Sequence, residues 1–361
     1  MEKEKRAIII LEDGTCFKGI SFGADGEKCG KFIFTTGVVG YQELVTDPAN
    51  AGKILIFTYP LIGNYGCAPK FNESKGIWAE GVVIKEKSRI FSNWQAKQSF
   101  DDFAKENDLL IAGDIDTRTL AVHLREKGEM LGIISTLNFN VESLMLKIKK
   151  FRSRKTMNLL PKISVDKITS LAKGRKGAKK IAVLDLGITR NIIRQLETLG
   201  FALTILPYNT SWQKILSLKA DGLIISGGPE QDVSLKEVTA NIKELVKKIP
   251  ILGISTGHQV LAMSLGAKIN RMKLGHHGSN YPLCNRSSYK GEITVQNHSC
   301  SVDSRSLEKI KDINITYYNL NDQTPEEIES SKLKIIGVQY YPVSPGFKEV
   351  NNVFKRFIKL L

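Results

Sequence analysis

The pattern of apolar and polar residues changes about halfway along the chain. Up to about residue 150, short β-like runs are separated by turns rich in Gly and Asp, and helical spacing is confined to two stretches. The β-like runs are AIIILEDGT, CGKFIFTTG, GKILIFTYPLIGNYG and AEGVVIKE, and the helical stretches are NWQAKQSFDDFAKEN and DTRTLAVHLREKG. No βαβ unit is repeated, so residues 1–150 are predicted to form a mixed α/β domain.

From residue 181, apolar strands and amphipathic helices alternate. IAVLDLG is a predicted strand, TRNIIRQLETLG a helix ending at Gly200, and the alternation continues as far as the helix HQVLAMSLGA. Such alternation is typical of a parallel sheet covered on both faces, with functional residues at the carboxyl ends of the strands. Residues 181–361 are therefore predicted to form an α/β domain with a mainly parallel sheet flanked by helices.

Residues 151–180 carry neither pattern clearly. Their last part, AKGRKGAKK, is basic, contains glycine and is poor in large apolar residues. This composition predicts a linker, and a solvated spacer is favoured over an anion-binding segment.

Composition narrows the class of protein. The 361 residues suffice for two domains, and the net charge of +15 comes mainly from lysines spread along the chain, which favours general composition over a nucleic-acid partner. No apolar run approaches the roughly 18 residues of a membrane-spanning helix, and no signal-peptide cleavage site follows the N-terminus, so a cytoplasmic protein without a membrane partner is expected. The five cysteines form no CxxC pair and the histidines lack zinc-ligand spacing, so neither a disulfide framework nor a metal site is expected.

One strand end has the pattern of a nucleophile elbow. Gly253 and Gly257 flank Ser255 between a predicted strand and a predicted helix, where small neighbours let a side chain project beside backbone N–H donors. Glycines at such junctions also serve packing alone. Gly227 and Gly228 end another strand, however, and would bring a second backbone amide to the same place, which predicts a site here.

The sequence around this elbow resembles the amidotransferase domain of the small subunit of carbamoyl-phosphate synthetase. That family has G-I-C-x-G-H-Q followed by K-x-G-H-x-G-x-N-x-P, where this chain has GISTGHQ and KLGHHGSNYP. The likeness extends over nearly the whole chain, through LEDGTCFKG, DIDTRTLAVHLREKG, VQNH and QYYPVSPG.

The resemblance implies a small-subunit N-terminal domain followed by a class I glutamine amidotransferase domain. In this family, the small subunit hydrolyses glutamine and passes ammonia through a tunnel to a large subunit, which makes carbamoyl phosphate for pyrimidine and arginine synthesis. The large subunit is then the expected partner. ATP and Mg are expected on that subunit, and no cofactor on this chain.

The catalytic positions depart from the family pattern. The nucleophilic cysteine is replaced by Ser255, and the H-P-E motif reads Tyr341-Pro342-Val343. A serine hydroxyl needs a base, a tyrosine with an ordinary pKa of about 10 is a poor one, and valine cannot orient a base. Since losing one triad member typically costs about 10⁴-fold in rate, the glutaminase of this chain is predicted to be inactive.

The glutamine pocket is retained only in part. Gly228, Gln259 and Asn297 match family positions that bind glutamine or the oxyanion, and are the expected substrate-binding residues. Other matched positions differ from the family: Ala49, Glu230, Thr256, Ser299 and Cys300. A Glu230 carboxylate in place of a glycine is expected to crowd and repel a polar ligand. Glutamine or another small ligand is expected to bind only weakly.

Several single residues have a structural and a functional interpretation. His258 is expected to pack or cap its helix, and His276 and His277 to support a Gly-flanked loop rather than bind a metal. Cys300, with His298 as its base, is the less favoured replacement nucleophile. Asp116 or Thr117 is expected to cap a helix.

The leading hypothesis is a small-subunit-like component of carbamoyl-phosphate synthetase that has lost glutamine hydrolysis and supports an ammonia-using large subunit. Two alternatives remain. One is a non-catalytic regulatory or ligand-binding protein derived from this subunit, and the other is a residual hydrolase that uses Ser255 or Cys300.

Overall fold

The computed structural model describes residues 5–153, 157–346 and 349–361. The chain divides into two compact units. The first comprises Met1–Lys155 with Lys273–His277, and the second comprises Thr156–Met272 with Gly278–Leu361.

The first unit mixes strands and short helices. Its elements are β1 (Arg6–Leu11), β2 (Cys16–Gly23), β3 (Glu27–Thr35), α1 (Tyr41–Thr46), β4 (Lys53–Phe57), β5 (Leu61–Ile62), β6 (Gly81–Val83), β7 (Glu86–Lys87), α2 (Phe100–Glu106), β8 (Leu110–Gly113), α3 (Thr117–Lys127), β9 (Met130–Ser135) and α4 (Val141–Ser153). Strands β1, β2, β8, β6, β4, β3 and β9 close in that order into a barrel, and β5 pairs with β7 in a small sheet. The barrel strands β4, β6 and β8 are buried along their whole length.

Local signals account for the helices of this unit. Helix α3 begins after Asp116, whose Oδ1 accepts the Thr119 N–H at 2.9 Å, which confirms the predicted cap. The predicted helical stretch NWQAKQSFDDFAKEN is helical only from Phe100, because the Ser99 Oγ caps the Asp102 N–H at 3.1 Å. Closure of the barrel was not predicted, since it depends on pairing between strands far apart in sequence.

The second unit contains the alternating elements. They are α5 (Leu160–Ile163), β10 (Thr169–Ala172), β11 (Lys180–Asp185), α6 (Arg190–Thr198), β12 (Ala202–Pro207), α7 (Trp212–Ser217), β13 (Gly222–Ile225), α8 (Leu235–Leu245), β14 (Ile251–Ile254), α9 (Thr256–Ser264), β15 (Ile269–Cys284), β16 (Gly291–Val302), α10 (Ser304–Leu307), β17 (Asn314–Asn319), β18 (Pro325–Ser330), β19 (Ile335–Val338) and α11 (Asn352–Ile358).

A ten-stranded sheet forms the centre of this unit, in the order β10-β12-β11-β13-β14-β19-β18-β17-β15-β16. The run from β12 to β19 is parallel, and β18 and β17 extend it with antiparallel pairing. Strands β13, β14 and β19 are buried throughout, as expected for strands covered on both faces. Alternate residues of β11 enter two separate hydrophobic cores, one on each face. The predicted α/β fold class is confirmed.

Residues 151–180, predicted as a linker, contain regular structure in their described part. Strand β10 pairs antiparallel with β12, and helix α5 is held by Asp232, whose Oδ2 accepts the N–H groups of Leu159 at 2.5 Å and Leu160 at 3.2 Å. The sequence signal for β10 is weak because this edge strand is short and largely exposed. Among the described residues, no helix has the length and apolar character needed to cross a membrane.

Candidate functional site

Ser255 lies at the sharp turn between β14 and α9. Its backbone has φ 52° and ψ −114°, a conformation that residues with a Cβ rarely adopt. Two hydrogen bonds fix the turn: the Ser255 N–H donates to the Val338 carbonyl at 2.7 Å, and the Gln259 N–H donates to the Ser255 carbonyl at 3.1 Å. The predicted elbow is therefore present at the carboxyl end of a central parallel strand.

Close backbone approaches require two of the glycines around the elbow. A Cβ on Gly257 would lie 2.1 Å from the Ile225 carbonyl oxygen, and one on Gly228 would lie 1.8 Å from the Leu186 carbonyl oxygen. Both distances are far below van der Waals contact, so any larger residue would force the strand ends apart. The glycines thus hold the loop after β13 directly against the elbow, and the Thr256 Oγ1 donates to the Gly228 carbonyl at 2.6 Å across this contact.

The structure brings the side chains of Ser255 and Tyr341 together beside Gly227. The position of a Cβ built on Gly227 would lie 3.4 Å from the Ser255 Cβ and 3.4 Å from the Tyr341 hydroxyl. Both side chains are buried. The Ser255 Oγ has no hydrogen-bond partner among the residues that the structure describes. Two of the three altered catalytic positions therefore share one site, and neither supplies a group that readily accepts a proton near neutral pH.

Val343 completes the altered motif. Its N–H donates to the Tyr341 carbonyl at 2.8 Å, and its carbonyl accepts from the Asn351 Nδ2 at 3.1 Å. The Pro342 carbonyl accepts from the Gln195 Nε2 at 2.8 Å. Backbone groups thus hold this segment in place, while the valine side chain offers nothing that could orient a base.

His258 is buried in the first turn of α9. Neither ring nitrogen has a hydrogen-bond partner within the described residues, and burial lowers the pKa of the imidazole to about 3. A Cβ on Gly337 would lie 2.5 Å from the Nδ1, so this neighbouring strand leaves room for the ring only because it carries glycine there. Burial favours the neutral ring, which lies against β19, whereas the sequence predicted only that it packs or caps its helix.

The retained pocket positions all lie in the second unit. Gly228 lies in the loop after β13, Gln259 lies one turn into α9, and Asn297 is buried in β16. The Gln259 Nε2 faces three oxygen acceptors: the Glu230 Oε1 at 2.8 Å, the Cys300 carbonyl at 3.2 Å and the Gln339 Oε1 at 3.3 Å. These contacts fix the direction of its amide.

Glu230 occupies a position that sequence reasoning did not foresee. Its Oε1 accepts from the Gln259 Nε2 at 2.8 Å and from the Cys300 N–H at 3.0 Å, and its Oε2 accepts from the Ser299 N–H at 2.6 Å. The carboxylate was expected to crowd and repel a ligand. That expectation stays a prediction. Donors from α9 and β16 bind the carboxylate, a result of folding that no local pattern around residue 230 indicates.

The pair proposed as a replacement nucleophile and base is arranged differently. The His298 Nδ1 lies 2.8 Å from the Cys300 carbonyl oxygen, and its Nε2 lies 2.9 Å from the Gln296 Oε1. Both ring nitrogens therefore face oxygen atoms.

Three further positions of interest lie in the first unit. Ala49 is buried, and its N–H donates to the Asp47 Oδ1 at 2.9 Å. His276 and His277 lie within β15, not in a loop as expected. The His277 Nε2 is 2.8 Å from the Glu129 Oε1, and the Lys31 Nζ is 2.6 Å from the Glu129 Oε2. Burial alone would raise the pKa of Glu129, but His277 and Lys31 outweigh it and hold this pKa well below its usual range. His277 thus has a structural hydrogen-bond partner in Glu129.

Two protein-family models match the chain. The carbamoyl-phosphate synthase small chain, CPSase domain, matches residues 9–134, and the class-I glutamine amidotransferase matches residues 182–360. The chain is 38% identical over 368 residues to the carbamoyl phosphate synthase small chain of Aquifex aeolicus, covering 99% of each. It is 37% identical over 369 residues to that of Syntrophotalea carbinolica, covering 99% of this chain and 98% of the relative. Against that of Methanocaldococcus jannaschii, the identity is 37% over 359 residues, covering 98% of each.

Proposed function

Because the chain belongs to the family of carbamoyl-phosphate synthase small chains, we propose that it is a small-subunit component that has lost glutamine hydrolysis and supports an ammonia-using large subunit. The observation that carries the proposal is the identity of the residues at the elbow and its partner positions, Ser255, Tyr341 and Val343. The product would be carbamoyl phosphate, a precursor for pyrimidine and arginine synthesis.

The chemistry of the elbow supports this proposal. Hydrolysis by a nucleophile at position 255 needs a base to take its proton and return it to the leaving ammonia. The Tyr341 hydroxyl and the Ser255 Cβ both approach Gly227, each 3.4 Å from a Cβ built there. The imidazole of His258 is buried without a partner in the described chain, and the nitrogens of His298 face other oxygens. A serine in these surroundings stays a neutral hydroxyl.

The binding pocket supports the proposal independently. Gln259 is one of the positions expected to bind glutamine, and its amide already donates to the Glu230 carboxylate. The Ser299 and Cys300 N–H groups donate to the same carboxylate. A free glutamine would have to displace this negative group before any reaction could begin.

An exposed apolar surface of the first unit supports the existence of a protein partner. Trp94 is 89% exposed, and Val38, Val39, Ile90 and Phe91 are exposed as well. The loops that carry them are joined, because the Gly40 N–H donates to the Tyr65 hydroxyl at 2.7 Å and a Cβ on Gly66 would lie 2.8 Å from the Phe91 ring. Clustered apolar side chains in solvent are typical of protein interfaces. We assign this surface to the large subunit, which would also hold ATP and Mg.

The test is a paired assay on the complex purified from its native cell. Ammonium, bicarbonate and ATP should yield carbamoyl phosphate, whereas glutamine in place of ammonium should yield no more than a reaction without a nitrogen donor. The large subunit alone, supplied with ammonium, serves as the control for support by this chain. Glutamine-driven synthesis at a rate similar to the ammonium reaction would refute the loss of hydrolysis, and failure to co-purify a synthetase subunit would refute the partner.

A further inference from the structure

A cavity of about 350 Å³ lies in the second unit, beyond the C-terminal end of α9. Three of its lining side chains are cationic, those of Lys268, Arg305 and Lys309, and one is acidic, that of Asp303. A cleft lined by charges of mainly one sign focuses their field and raises the local concentration of ions of the opposite sign. The lining of this cavity therefore favours an anion over a neutral or cationic ligand.

The cations of the cavity differ from other exposed lysines of this unit in their surroundings. Lys332, for example, forms an ion pair with Asp312 at 2.9 Å. Within the described ranges, none of Lys268, Arg305 and Lys309 forms an ion pair with a carboxylate. Like charges that face one cavity repel each other, and a bound anion would offset that repulsion.

The carboxylate of Asp303 offsets only part of this positive charge, and other donors already hold it. Its Oδ1 accepts from the Ser306 N–H at 2.7 Å, and its Oδ2 accepts from the Asn270 Nδ2 at 2.9 Å. The backbone completes the connection, because the Asp303 N–H donates to the Lys268 carbonyl at 2.8 Å and the Lys268 N–H donates to the Ser306 Oγ at 2.9 Å. The two segments that carry the cations are thus joined side by side.

Apolar side chains anchor the same two segments from below. Ala267 and Leu307 belong to one buried hydrophobic cluster, and Ile310, which lines the cavity, packs against it. Backbone positions anchored in this way are fixed before a ligand arrives, so binding has to order only the long cationic side chains. The cavity is preorganised to that extent.

We propose that Lys268, Arg305 and Lys309 form a binding site for the phosphate group of a small molecule. A guanidinium offers two parallel N–H donors to the oxygens of a phosphate, and each ammonium adds a compact positive charge with three donors. The cavity lies at the lower end of the range of about 300–1,000 Å³ that small-molecule sites occupy, so it has room for a phosphate ester as well as for the free ion.

This site is separate from the elbow. Ser255 precedes α9 and the cavity follows it, and the nine residues of that helix span about 14 Å. A small ligand in the cavity therefore touches none of the residues at the elbow. The inference goes beyond the proposed function, because it concerns a different site and holds whether or not Ser255 reacts.

The experiment is a calorimetric titration of the full-length chain at an ionic strength of about 0.15 M. The probes are inorganic phosphate and glycerol 3-phosphate, and glycerol serves as the uncharged comparison. At least one of the two phosphate compounds should bind with a Kd of about 1 mM or below, and glycerol should not bind. Tighter binding of the ester identifies a phosphorylated small molecule as the ligand, and tighter binding of inorganic phosphate identifies the free ion.

Two variants locate the binding. Arg305→Met and Lys309→Met should each weaken it at least about tenfold, which corresponds to about 1.4 kcal/mol. Lys332→Met is the matched control, because it removes the same charge from an exposed lysine outside the cavity lining, and it should bind like the unaltered chain. Arg305 and Lys309 are exposed, so both variants should keep the thermal stability of the unaltered chain.

Three results would overturn the proposal. The first is that neither phosphate compound binds the unaltered chain with a Kd of about 1 mM or below. The second is that folded Arg305→Met and Lys309→Met bind as tightly as the unaltered chain. The third is that Lys332→Met weakens binding as much as they do, which would assign the effect to the net charge of +15 and not to the cavity.

Discussion

At the scale of the residue, the strand-to-helix turn accounts for the backbone conformation of Ser255, whether or not the residue reacts. A φ of 52° with a ψ of −114° places the Cβ in a strained position, and the buried Oγ gains no hydrogen bond within the described chain. Backbone strain of this kind typically costs about 1–3 kcal/mol and is concentrated at active sites and ligand-binding sites. Under the proposed function, Ser255 keeps this strained backbone although the chain does not hydrolyse glutamine.

Ser255→Gly is therefore expected to stabilise the protein. Glycine adopts this backbone conformation without a Cβ, and the change removes a buried hydroxyl that lacks a partner, so the free energy of unfolding should rise by about 1 kcal/mol. Equilibrium denaturation measures it. Ser264→Gly, at the last residue of the same helix α9, is the control and should lower the free energy of unfolding by about 1 kcal/mol, because it also removes the bond from the Ser264 Oγ to the Leu261 carbonyl. A destabilised Ser255→Gly would mean that the serine side chain contributes packing that outweighs the strain.

His258 should make stability depend on pH. Burial lowers its pKa to about 3 from an ordinary value of 6.5. Between these values, the unfolded chain binds a proton that the folded chain does not. The contribution of His258 is therefore fully favourable above pH 6.5 and is lost as the pH falls towards 3, by up to about 1.4 kcal/mol per pH unit.

The variant His258→Leu isolates this contribution. Denaturation of both proteins between pH 7 and pH 4 should give a shallower loss of stability for the variant, because leucine binds no proton. Parallel pH profiles for the two proteins would show that the ring is not held neutral in the folded state.

At the scale of the element, one buried ion pair joins α11 to β18. The Arg356 guanidinium donates to both oxygens of Glu327, at 2.7 and 3.1 Å, and to the Glu329 Oε2 at 2.7 Å. The Tyr340 hydroxyl donates to the Glu327 Oε2 at 2.9 Å. Glu327 is completely buried, so its charge depends on these donors.

Arg356→Met should lower the free energy of unfolding by about 3–5 kcal/mol, because it leaves the Glu327 charge buried without its cation. Adding Glu327→Met to the same chain should recover part of this loss, since the uncompensated charge is then absent. Arg305→Met, on the exposed side of α10, is the control and should have little effect. Additive losses in the double variant would contradict a coupled pair.

The sequence predicted elements more reliably than it predicted their pairing. The strands and helices from β11 to α9, the elbow at Ser255 and the cap at Asp116 follow from local periodicity, glycines and a capping carboxylate. The closed barrel and the pairing of β10 with β12 depend on contacts between distant residues, which local patterns do not carry. For the same reason, the sequence placed a carboxylate at residue 230 but not its donors at residues 259, 299 and 300.

At the scale of the whole molecule, the proposed role depends on assembly. The exposed surface around Trp94 presents a large aromatic side chain, the type that often dominates the binding energy of interfaces. Its removal costs the isolated chain little, because an 89% exposed ring makes few internal contacts.

Trp94→Ser should weaken binding to the large subunit by at least about tenfold, while the thermal stability of the isolated chain stays nearly unchanged. Surface-immobilised large subunit titrated with each variant measures this affinity. Leu146→Ser, at a 65% exposed apolar position on α4, is the control and should bind normally. Equal affinity of Trp94→Ser and the unaltered chain would place the interface elsewhere.

The hydrogen bonds of Glu230 also bear on whether glutamine hydrolysis, which we propose this chain has lost, can return. While the Glu230 carboxylate keeps its hydrogen bonds, Ser255→Cys would supply a thiol, but glutamine would still be excluded from the pocket. The new thiol would also lack a base to activate it. Clearing residue 230 alone would admit a ligand to a site where nothing reacts. No single substitution then gives a small gain in hydrolysis on which selection could act. Under the proposed function, the loss of the glutaminase is therefore hard to reverse in evolution, because the intermediate steps back towards an active enzyme offer no advantage.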